Sequence, residues 1–70
     1  MVITKEALVE RGFRKYPWDE IYRISKGDMS IVVNYQQKRV LVDPDYGPEI
    51  HALGCVTMEQ VEELIKLFLA

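Results

Sequence analysis

Apolar and polar positions change their period twice along this chain. Between Met29 and Asp43 they alternate, with Ile31, Val33, Val40 and Val42 on one parity and Ser30, Asn34, Arg39 and Asp43 on the other. A period of two marks a strand with one buried face. The run predicts two strands joined by a polar loop, either Gln36-Gln37 or residues 35–38. Both loops set Val33 opposite Val40, Ile31 opposite Val42 and Val32 opposite Leu41. A three-residue loop would set Asn34 against Val40, and a slip of one residue would turn every side chain over. Gln-Gln lacks the Asn-Gly chemistry of a two-residue turn, so the four-residue loop is preferred. One face then carries Met29, Ile31, Val33, Tyr35, Val40 and Val42.

On either side the period becomes helical. Thr4 is placed as an N-cap, with Glu6 in the first turn, where the helix dipole favours an anion. Ile3 and Leu8 have the spacing of a hydrophobic staple. Gly12 can take the left-handed conformation that ends a helix over residues 5–11, and Phe13 then packs back on Leu8. Near the other end, Thr57 and Gln60 spell a capping box, and Val56 and Val61 a second staple. Met58, Val61, Leu64, Ile65 and Phe68 recur at helical spacing as one apolar stripe. Glu62 and Lys66 form an i,i+4 pair worth ~0.3–0.5 kcal/mol.

Residues 14–17 read as a connection, because Tyr16 before Pro17 is pushed toward extended geometry. A strand over residues 18–25 follows, with Trp18 facing the core. A two-residue turn at Lys26-Gly27 sets Ile24 opposite Met29 and Tyr22 opposite Ile31. A three-residue loop ending in a Gly27 bulge would change that parity. Asp43 and Pro44 suit the first two positions of a type I turn. Residues 49–53 form either a short edge strand or an irregular return. The predicted fold is an α+β two-layer sandwich. Three or four antiparallel strands carry the N- and C-terminal helices on one face, in the order α-β-β-β-(β)-α.

Composition narrows the picture. The chain has 70 residues, 49% of them hydrophobic, and no repeat or linker divides it, so residues 1–70 form a single domain. A core of that size supplies only ~3–5 kcal/mol of net stability. Cys55 is the only cysteine, so no disulfide within the chain helps, and a lone thiol fits a reducing compartment. There is no signal-peptide pattern and no apolar span of membrane length, which predicts a cytoplasmic protein that does not enter the membrane. The net charge of −2 argues against a nucleic-acid binder held by phosphate contacts.

Candidate chemistry is thin. His51 is the only histidine, and no known spacing links it to Asp43, Asp45, Glu49 or Cys55. Structural zinc wants four ligands, and the acidic loop around Pro44 and Pro48 does not match a calcium loop. No glycine-rich phosphate loop is present. The sequence predicts no catalytic residue, cofactor or metal, and hence no enzyme. Interest falls on the uncovered sheet face. The turn at Lys26-Gly27 would set Ile21, Val32 and Leu41 side by side across three strands. Asp19 with Arg39 would border that stripe at one end, and Arg23 with Asp43 at the other. Tyr16 and Tyr46 are further surface candidates.

The segment Thr4, Glu6, Leu8, Gly12, Phe13 resembles the T-x-E-x-L-x-x-x-G-F start of many small bacterial, phage and mobile-element proteins. These continue into a β meander and a short C-terminal helix. The resemblance implies a bacterial or phage setting and no particular site. Together these features predict a small protein–protein interaction module, an inhibitor or accessory factor acting by surface occupancy on an unknown protein partner. A symmetric homodimer through the uncovered face is also expected. The alternative is a nucleic-acid-binding accessory domain using exposed sheet residues.

Overall fold

The computed structural model describes residues 1–69. Seven elements follow one another: α1 (Lys5–Arg11), β1 (Arg14–Lys15), β2 (Ile21–Lys26), β3 (Met29–Asn34), β4 (Arg39–Pro44), β5 (Ile50–His51) and α2 (Met58–Phe68). The strands form one antiparallel sheet in the order β1-β2-β3-β4-β5. Both helices cover the same face, so the protein is an α+β sandwich of two layers.

Alternation builds the core. Ile31, Val33 and Val42 are almost fully buried, and Tyr22 and Val40 join them from the neighbouring positions. The registers Val33↔Val40 and Ile31↔Val42 follow the even loop at residues 35–38. That loop closes with Lys38 at φ 56° and with the Asn34 side chain accepting from the Gln37 amide at 3.0 Å.

Both helices are fixed by their ends. Thr4 Oγ1 accepts from the Ala7 amide at 3.1 Å. At the other end of α1, Gly12 at φ 112° donates to the Val9 carbonyl and Phe13 donates to the Leu8 carbonyl. This is the two-bond left-handed cap that satisfies the last carbonyls. It swings the Phe13 ring into the core beside Leu8. The Thr57–Gln60 capping box of α2 is formed in both directions. Met58, Val61 and Ile65 are buried, with Leu64 and Phe68 packed partly against them. Val56, expected to staple onto Val61, is 61% exposed. Glu62 reaches Arg11 Nε of α1 at 2.5 Å rather than Lys66, and so ties the two helices together.

Four expectations are corrected. The sheet has five strands, because Arg14 and Lys15 pair with Arg23 and Tyr22 where a connection was predicted. β2 begins at Ile21, after a turn that leaves Trp18 79% exposed instead of in the core. Pro44 ends β4 opposite Met29 rather than starting a turn. The β2–β3 loop is Gly27-Asp28, so Lys26 pairs with Met29, Ile24 with Ile31 and Tyr22 with Val33. Gly27 at φ 62° supplies the positive angle that a two-residue hairpin loop needs at its first position. The shift from Lys26-Gly27 is one residue in the loop and two in the register. Parity is therefore preserved, and the core face is unchanged. Residues 49–53 contribute the two-residue edge strand β5, paired with Leu41 and Val42. The outermost strands have only two residues each, which gives another chain little edge to pair with.

Gly12→Val places a β-branched side chain at φ 112°, and its Cβ would also meet Ile24 Cδ1 at 3.8 Å. Backbone strain dominates there. The variant should unfold in urea with a stability lower by more than ~1 kcal/mol; an unchanged midpoint would show that α1 does not end on this cap.

Candidate interaction surface

The face of the sheet away from the helices carries three rows. Ile21, Asn34 and Arg39 form the first, Arg23, Val32 and Leu41 with His51 the second, and Ser25, Ser30 and Asp43 the third. Of the predicted surface residues, Ile21, Arg23, Val32, Arg39, Leu41 and Asp43 do share this face. Their grouping differs from the expectation. Arg23, and not Ile21, stands beside Val32, so the straight apolar stripe is interrupted by a guanidinium. Asp19 lies in the turn before β2 and Tyr46 in the bend after β4. The two complementary charged ends expected to match across a two-fold axis are therefore absent.

Arg23 is the organising group. Its guanidinium donates to Tyr16 Oη at 3.1 Å and to Ser30 Oγ at 3.0 Å, and it lies 3.6 Å from Asp43 Oδ2. The Tyr16 hydroxyl first, and then the Asp43 and Asp45 carboxylates, hold Arg23 above the ordinary arginine range against the opposing effect of burial. Ser30 is buried and also shares a hydrogen bond with Ser25 at 2.9 Å. Among the described residues no buried side-chain polar atom lacks a partner. β1 brings Arg14 directly opposite Arg23. Like charges placed across a strand pair are unfavourable. Within the paired strands this face carries three arginines, Arg14, Arg23 and Arg39, against the carboxylate of Asp43, and Asp45 acts on Arg23 from just beyond β4, on a chain whose net charge is −2.

Aromatic groups sit beside the arginines. Tyr16 and Trp18 have ring centroids 6.5 Å apart with planes inclined at 59°. Tyr46 is 86% exposed but follows β4, at the opposite end of the sheet from Trp18. The sequence signal for the true register was the Gly27-Asp28 pair itself, a hairpin dipeptide with glycine leading.

A second feature had no sequence signal. At the end of the sheet near residues 35–38, the covered face opens into a cleft of about 480 Å³. Val33 and Val40 contribute from the sheet, and Val2, Ile3 and Val56 from the segments beside it. Val2 and Thr57 form an isolated bridge that holds those segments together. Half-buried Cys55 also lines the cleft, and burial pushes its thiol up from the ordinary cysteine range. His51 is exposed on the other face. Among the described residues, no three His, Cys, Asp or Glu side chains converge as metal ligands. No described helix is long and apolar enough to cross a membrane.

No protein-family model, curated protein or solved structure was found to match the chain.

Removing the Arg23 head group leaves Ser30 buried with only Ser25 as partner. Arg23→Met should lower stability by ~1–2 kcal/mol, the usual cost of losing bonds to a charged donor when one acceptor stays buried. Asp43→Asn should cost less than ~1 kcal/mol, because that ion pair is long and partly solvated. Urea unfolding of both variants checks the order. An Asp43 effect larger than that of Arg23 would contradict the network as described.

Proposed function

We propose that this protein is a small interaction module that holds an acidic protein surface on its open sheet face, acting by occupancy rather than by chemistry. The observation that carries this reading is the Arg14–Arg23 pair flanked by Tyr16 and exposed Trp18. A like-charge pair costs stability in isolation and is relieved when an anion settles over it. Arginine, tryptophan and tyrosine are also the residues that dominate binding hot spots. Arg23 is already held by Tyr16 and Ser30, so little of its side-chain freedom remains to be lost on binding. The module would serve as an inhibitor or accessory factor for its partner. The charge of this face favours an acidic target. It also disfavours a symmetric homodimer through this face, which would bring two arginine patches together.

The same face supports a second reading. Arginines interleaved with aromatic rings on an open sheet suit a single-stranded nucleic acid, whose bases stack while its phosphates pair. Trp18 is the only tryptophan, so its emission reports on this surface alone. Titration with a glutamate- and leucine-rich peptide should shift Trp18 emission to the blue. Arg14→Glu with Arg39→Glu should abolish the shift. An oligothymidylate that binds tightly, with affinity falling steeply as salt rises, would replace the protein reading with the nucleic-acid one. Silence toward both probes would overturn the assignment of this face.

A further inference from the structure

The cleft beside residues 35–38 differs from the open face in chemistry as well as position. Its walls are the aliphatic side chains of Val2, Ile3, Val33, Val40 and Val56. The hydroxyl and ammonium groups among its lining residues, those of Tyr35 and Lys38, both come from one loop. Among the described residues no carboxylate lines it, although the chain has 11 acidic residues. A shallower hollow of about 320 Å³ adjoins it, sharing Lys38, Val40, Cys55 and Val56 and adding Arg39 and His51. Again no acidic residue among those described takes part. Lys38 has no ion-pair partner among the described residues. Leu53, 95% exposed, stands at the rim of the smaller hollow.

A volume of this size lies in the range of small-ligand sites. The distribution of polarity selects the ligand. A peptide would bring amide groups along its whole length, and aliphatic walls would leave them unpaired. A molecule whose polarity is confined to one end meets no such penalty. We infer that the cleft is a binding site for an aliphatic monocarboxylate, with the chain lying over Val33 and Val40 and the carboxylate paired with Lys38. Cys55 lies against the bound chain and takes no part in chemistry. This site is separate from the open face, and each can fail without the other.

Cys55 provides the readout, because it is the only thiol and it lines the cleft. Its rate of alkylation by iodoacetamide is measured against rising hexanoate, octanoate and decanoate. Each ligand should slow the reaction with saturation. Affinity should rise about fourfold for each added methylene, as expected for transfer of an apolar chain from water. Lys38→Met should weaken decanoate by up to about fivefold, the range of a solvent-facing ion pair, and decylamine should protect only at higher concentration than decanoate. Calorimetry with Cys55→Phe, whose ring fills the cleft, should show no decanoate binding, while circular dichroism confirms that the variant is folded. Absence of protection by decanoate at millimolar concentration would overturn the proposal. So would affinity independent of chain length, or equal protection by decylamine.

Discussion

The contact on which the structure depends is the valine and isoleucine ladder between β3 and β4. Ile31, Val33 and Val42 are sealed from water, and each contributes ~1.5–3 kcal/mol by burial. Each helix is too short to be stable alone. Leu8 and Phe13 hold α1 to this ladder, and Met58, Val61 and Ile65 hold α2. The Arg11–Glu62 contact joins two helices that the sheet has already placed. A chain of this length has little stability to spare, so the ladder fixes which sheet face is committed to the core. The opposite face is then free to carry groups that do not favour folding, such as paired arginines and an exposed tryptophan.

What was legible in the sequence follows the range of the physics. Helix ends are written locally: Thr4, Gly12, Thr57 and Gln60 announce caps that form as read. The Val33–Val40 pairing was legible because one buried face tolerates only one parity. Between β2 and β3, parity alone could not separate registers two residues apart, since both bury Tyr22 and Ile24. The tie is broken by Gly27, which is needed at the first loop position for its positive φ. β1 was missed because two basic residues show no alternation, and Trp18 was misplaced by extending the β2 period through a turn.

The surface was less legible than the core. Six of the nine predicted surface residues lie in strands on the open face and Tyr16 bonds to Arg23 there, yet the two-residue register change converts an apolar stripe into an arginine-centred network. The cleft could not be read at all. It arises where the N-terminal segment, the loop at residues 35–38 and the approach to α2 meet without closing, a property of three distant stretches. Two surfaces thus divide the chemistry: one cationic and aromatic on the exposed sheet, one aliphatic with a single ammonium group at the end of the core.

The arginine network of the open face rests on the Gly27-Asp28 turn, because that turn puts Arg23 rather than Ile21 beside Val32. Nuclear Overhauser contacts across β2, β3 and β4 in the labelled protein test it most directly. The account predicts cross-strand backbone contacts that place Arg23 opposite Val32 and Val32 opposite Leu41, with Arg14 opposite Arg23 on the far side. Contacts placing Ile21 opposite Val32 would contradict it, and would restore the uninterrupted apolar stripe in place of the arginine network.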